Sequence, residues 1–204
     1  MNIGRWRKML EKLGVSSEDS TYQKLVSAYS EKHRFYHTAA HIEDCLRHFD
    51  SNIERLEFPE SVEIAIWFHD AVYRPFSKTN ELDSANWAVE FLTSVNVAEE
   101  IKTRVYRLIL ATRHNGKVNT KDESVLVDLD LAVLGSDPDT YTRFEDNIRK
   151  EYKYVPGFVF RKKRANLLSA FLNREAIYSN ENFRDLYETN ARKNLENAVA
   201  QLQG

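Results

Sequence analysis

Ala65-Ile66-Trp67-Phe68-His69-Asp70-Ala71-Val72-Tyr73 is the stretch whose reading decides the fold. Ile64, Phe68 and Val72 recur at helical spacing, so the segment predicts a helix with a core face. On that helix His69 neighbours Ala65, Ile66, Val72 and Tyr73, one turn away on either side. Asp70 neighbours Ile66, Trp67, Tyr73 and Arg74. An ionisable pair in apolar company costs free energy unless something satisfies it. The plain reading is a core histidine bonded to a backbone carbonyl, with Asp70 near a surface arginine. A divalent metal would satisfy both side chains at once.

Working outward, the pattern stays helical. Helices are expected over residues 3–13, ended by Gly14, over 20–31, and over 37–56, stopped before Pro59. The central helix covers about 60–73. Thr79 is a suitable N-cap for the next, which runs through Val95. Residues 97–113 follow, then a loop over 114–117, then 122–134 with Gly135 at the C-terminal end. Asp137-Pro138 reads as an N-cap with proline at the first helical position, opening a helix that ends near Tyr152. Residues 158–173 and 181–202 complete an all-α chain. Strand-like alternation is nowhere convincing.

Composition sets bounds. A chain of 204 residues with 42% apolar and 29% charged residues has the makings of one soluble domain. A net charge of -2 argues against a nucleic-acid polymer as partner. Cys45 is the one cysteine, so an internal disulfide is ruled out and a reducing, cytoplasmic setting is expected. No apolar run resembles a signal peptide or approaches a membrane span.

Two further clusters carry chemistry. His37 and His41 lie four apart, on one face if the helix includes both, and Cys45 continues that face. The pair lacks the glutamate after the first histidine that a zincin needs, which excludes that class of metalloprotease. Cys45 is expected as a small core residue, and His33 and His48 as surface residues. In Val127-Asp128-Leu129-Asp130-Leu131-Ala132 the two aspartates point about 200° apart, so one at most should face inward. Asp130, beside Leu126, Val127, Val133 and Leu134, is the better buried carboxylate. Asp128 is left to orient a ligand or meet water.

His37, His69-Asp70 and Asp130, in that order on helices, resemble the H…HD…D signature of the HD superfamily of metal-dependent phosphohydrolases. The flanking text RFYHTAAHI, AIWFHDAVY, TNELDSA, DLDLAVLG, IRKEY and NARKNLE is similar to one bacterial branch of predicted HD phosphohydrolases, over roughly residues 30–200. The resemblance implies a single domain over 1–204, with an HD core at about 30–150 and C-terminal helices 151–204 packed on it. It implies one divalent ion held by His37, His69, Asp70 and Asp130. Mixed nitrogen and oxygen ligation suits Zn, Mn, Fe, Co or Ni. The implied reaction is hydrolysis of a small phosphorylated metabolite or nucleotide by metal-activated water. A homo-oligomer is compatible with this.

The sequence also departs from the wider superfamily. Some members carry acidic residues after the doublet to assist the water; here Ala71-Val72-Tyr73-Arg74 follow. Glu81, His41 and His114 are the substitutes for proton transfer or phosphate contact. Arg149 and Arg164 are candidates to clamp phosphate bidentately. Two other readings stand. One is an HD-type iron oxygenase, although His114 is the sole histidine between the doublet and Asp130. The other is a non-catalytic binding module stabilised by its metal.

Overall fold

The computed structural model describes residues 1–16, 18–114 and 118–204. Positions 115–117 of the expected loop lie outside the described residues. Every regular element among those described is helical. The helices are α1 (Ile3–Lys12), α2 (Asp19–Ala28), α3 (Ala39–Asp50), α4 (Pro59–Phe68), α5 (Asn80–Ser94), α6 (Glu99–Ala111), α7 (Lys121–Leu131), α8 (Pro138–Glu151), α9 (Gly157–Leu172), α10 (Glu181–Phe183) and α11 (Thr189–Gln203). Short 3-10 turns, Ile53–Arg55 and Ala132–Gly135, follow α3 and α7. A π-helical stretch, Arg184–Glu188, joins α10 to α11. The chain divides into two units, Met1–Leu129 and Asp130–Gly204, the boundary falling inside α7. No described helix is long and apolar enough to cross a membrane.

In the first unit α4 is the centre. Ser61 through Phe68 are all buried, and a helix apolar nearly all round belongs inside. Helices α1, α3, α5 and α6 pack around it. Trp6 of α1 meets Trp67 edge-on at 5.5 Å, and Phe91 of α5 stacks on Phe68 at 5.6 Å. The one acid of that stretch, Glu63, is buried but accepts from Arg5 Nε at 2.6 Å. Burial works against the Arg5 charge; its bonds to Asp50 and Glu63 outweigh that and raise its pKa.

Both ends of α4 are fixed by charged side chains from elsewhere. At the N-terminus the buried Asp122 of α7 accepts from the backbone N–H groups of Glu57 and Phe58, at 2.8 and 2.9 Å. These are donors that a helix start leaves without an intrahelical partner. The C-terminus lies five residues earlier than the periodicity predicts, at Phe68. His69 is the C-cap, and Val72 and Tyr73 lie outside the helix. The cause is Arg34. Its side chain is fully buried and donates to Asp70 O at 2.6 Å, Ala71 O at 2.9 Å and His37 O at 3.2 Å. Those bonds hold the chain after Asp70 in a turn that a continued helix would not allow. Tyr29 Oη donates to Trp67 O at 3.0 Å, and burial pushes that phenol's pKa far up, so it stays a donor.

In the second unit α8 opens as its sequence predicts: the Asp137 carboxylate accepts from Thr140 N at 3.0 Å, and Pro138 takes the first helical position. Helix α11 packs on α9 and on the Ala132–Gly135 turn. Gly135 faces the backbone of Tyr187. A Cβ at 135 would sit 2.5 Å from Tyr187 Cβ and 2.6 Å from its carbonyl oxygen, so only glycine fits.

Candidate metal centre

The end of α4 sets the first ligand. Because the helix stops at Phe68, the Ile66 carbonyl is left without an intrahelical donor, and His69 Nδ1 lies 2.9 Å from it. That bond assigns the ring proton to Nδ1 and leaves the Nε2 lone pair facing away from α4. A metal-binding histidine is characteristically oriented in this way. His69 is 1% exposed.

His41 stands opposite. Its Nε2 is 3.1 Å from His69 Nε2, and it lies in the first turn of α3. At that separation His41 Nε2–H can donate to His69 Nε2, and with that proton removed the two nitrogens suit a shared cation. Cys45, one turn further along α3, places Sγ 3.8 Å from His41 Nε2. The Asp70 carboxylate closes on both rings, with Oδ2 3.1 Å from His69 Nε2 and 3.5 Å from His41 Nε2. Ligand atoms of His41, Cys45, His69 and Asp130 all lie within 4.8 Å of one another, a group able to hold a metal ion. Two imidazoles, a carboxylate and a thiol make a donor set that fits a first-row divalent ion.

Asp130 reaches this group along α7. The start of α7 meets the start of α4 where Asp122 accepts from the N–H groups of Glu57 and Phe58. The start of α7 is itself locked. Thr120 Oγ1 accepts from Glu123 N at 3.1 Å, and the Glu123 carboxylate accepts from Asn119 N at 2.6 Å.

The group contains His69 and Asp130, both expected as ligands from the sequence, and His41, expected there for proton transfer or phosphate contact. Thr38 is an extended N-cap at φ -117° and ψ 178°, so α3 begins at Ala39 and His37 is not on its face. His37 lies beside the group instead, half-buried, its ring 6.2 Å from that of His41 and stacked on Tyr73 at 4.1 Å. Cys45 is buried as expected, but as a member of the group. The two aspartates also differ from expectation: Asp128 is fully buried and Asp130 half-buried. Nearly every residue from Val125 to Leu131 is buried, so α7 has no solvent face for Asp128 to occupy.

The remaining candidates lie outside the group. Glu81, in the first turn of α5, sits 3.8 Å from Arg113 Nε. His114 follows the end of α6 in a left-handed conformation, φ 55°. In the second unit Arg149 donates to Tyr152 O at 2.6 Å and Val155 O at 3.1 Å. Arg164 binds Glu145 through two donors, at 3.0 and 2.6 Å. Both guanidinium groups are thus engaged in holding α8 and its neighbours. Sequence reasoning missed Arg34, whose position before His37 looks like an exposed loop; no local signal distinguishes it.

No protein-family model matches the chain, and no curated protein matches it.

Proposed function

We propose that this chain is a metal-dependent phosphohydrolase, acting on a small phosphorylated metabolite or a nucleotide. The supporting observation is the convergence of His41 Nε2, His69 Nε2 and Asp70 Oδ2 within 3.1–3.5 Å, with Asp130 beside them and the His69 ring oriented by Ile66. A divalent ion held there would lower the pKa of bound water and polarise a phosphoryl oxygen. His41, His69, Asp70 and Asp130 are the ligands in this reading. Two carboxylates balance the charge of one such ion.

His37 takes a different role from the one the motif suggested. Its ring stands next to the His41 ring, between Tyr36 and Tyr73, with centroids 5.0 and 4.1 Å away. Its backbone carbonyl is held by Arg34. A positioned imidazole beside the ligands is suited to give a proton to a leaving alkoxide. Glu81 and His114 are the further candidates for substrate contact.

Metal content and turnover test this together. The protein, purified without added metal, is assayed for bound metal. Phosphate release is then measured from nitrophenyl phosphate mono- and diesters and from nucleotides, with zinc, manganese, iron, cobalt or nickel. About one ion per chain is expected, with release that needs the ion and is abolished by His69→Ala and Asp130→Ala. His37→Ala should keep the metal and lose roughly tenfold to a thousandfold in turnover. Release unaffected by His69→Ala would overturn the reading. Product formation that requires oxygen and iron would favour the oxygenase alternative.

A further inference from the structure

We infer that the Cys45 sulfur is itself a ligand of the metal held by His41, His69 and Asp130, so that this centre selects a thiophilic ion, zinc, cobalt or ferrous iron, over manganese or magnesium. The inference rests on the metal reading above and adds to it a donor that the histidine–aspartate motif does not contain.

Three observations carry it. The first is placement. Cys45 follows His41 by four residues on α3, which puts both side chains on one helical face. The second is distance. Zinc–sulfur and zinc–nitrogen bonds of about 2.3 and 2.05 Å at a tetrahedral angle place sulfur and nitrogen ~3.6 Å apart and two nitrogens ~3.3 Å apart. The structure has 3.8 Å for Cys45 Sγ to His41 Nε2 and 3.1 Å for the two histidine nitrogens. Both separations are close to these values, but Sγ is also 3.9 Å from His41 Nδ1, so joint ligation by Nε2 and sulfur requires the His41 ring to turn as well as the sulfur to approach. The third is membership. Sγ lies within 4.8 Å of the ligand atoms of His69 and Asp130 as well as His41, whereas a cysteine merely filling the core need approach none of them.

The chemistry follows from the sulfur. Binding would form a metal–sulfur bond while the thiol proton passes to solvent, with no change of oxidation state. A polarisable thiolate favours zinc, cobalt or iron, whereas manganese and magnesium favour oxygen donors. Two imidazoles, one carboxylate and one thiolate leave the centre neutral around a divalent ion. Asp70 as a fifth donor would give the set one net negative charge and leave one octahedral position open to substrate.

Cobalt(II) tests this directly, because the chain has one cysteine and any thiolate-to-cobalt charge-transfer absorption must come from Cys45. Metal-free protein is titrated with cobalt(II) and followed in the near ultraviolet, with bound cobalt measured in parallel. The expected result is a charge-transfer band that saturates at about one cobalt per chain. Cys45→Ser should lose the band, keep the fold by circular dichroism and still bind cobalt. In competition its preference for zinc over manganese should fall by tenfold or more. Cobalt bound at full stoichiometry without the band overturns sulfur ligation and leaves the histidine–aspartate centre standing. No cobalt bound by the wild type overturns the centre itself, and the inference with it. An unchanged zinc-to-manganese preference in Cys45→Ser overturns the selectivity claim.

Discussion

Replacing Arg34 with alanine should destabilise the protein by about 3–5 kcal/mol, the range for breaking a buried charged network. The figure is built from its contacts. Nη1 and Nη2 donate to the carbonyls of Asp70, Ala71 and His37, and Nε donates to Glu31 at 2.9 Å. Bonds from a charged donor contribute about 1.5–3 kcal/mol each, and losing the donor strands carbonyls that water cannot fully reach. The Glu31 bond adds little, since that carboxylate is half exposed and regains water. The guanidinium also lies 5.2 Å from the Tyr29 ring and 5.5 Å from the Tyr73 ring. These terms share one side chain and do not add, so the sum is capped well below their total. Urea unfolding of the metal-free protein, followed by circular dichroism, measures the loss. Arg34→Lys should fall between, because an ammonium cannot span three carbonyls as the planar fork does. Released from Arg34, the turn bearing Asp70 should also bind metal about tenfold to a hundredfold more weakly. An Arg34→Ala protein within 1 kcal/mol of wild type, with unchanged metal affinity, would refute the account of how the end of α4 is held.

Gly135→Ala should cost about 1–3 kcal/mol or more in the same assay, because the new methyl meets the Tyr187 backbone rather than a movable side chain; a neutral substitution would show that the close approach is relaxed in solution. His48 should titrate below the ordinary histidine value of about 6.5, since burial and then Arg47 disfavour its charged form. The sign follows: the unfolded state binds its proton more readily, so the His48 contribution to stability is intact above about pH 6.5 and lost as pH falls through the folded pKa. Proton NMR titration of the ring checks this, and a midpoint at or above the ordinary value would contradict it.

The helical architecture was legible because its signals are local. Asp137-Pro138 starts α8 where it should, and Gly14 follows α1 in the left-handed conformation, φ 71°. The end of α4 was not legible. Val72 and Tyr73 continue the period, and only a distant side chain, Arg34, overrides it. The same limit governs the site. His69 and Asp130 are found by asking which ionisable residues have apolar neighbours. Whether His37 shares a helical face with His41 depends on the start of α3, and Thr38 gives no capping bond to mark it. Cys45 reads as core in the sequence because a buried cysteine is ordinarily just that, and its nearness to His69 and Asp130 depends on contacts distant in the chain.

The π-helical stretch at Arg184–Glu188 separates two segments that read as one helix in the sequence. A wide turn of this kind holds one residue more than an α-turn, and such a residue shifts the angular phase of everything after it by about 100°. Counted at 100° per residue, Ala191, Asn194, Leu195 and Ala198 of α11 fall about 70° round from Phe183, and the extra residue brings the two buried sets towards one face. Chain length across this joint is consequently a register mark: related chains differing by one residue between 184 and 188 would have to rewrite the apolar pattern of α11, whereas a length change in the segment before α10 would leave that pattern intact.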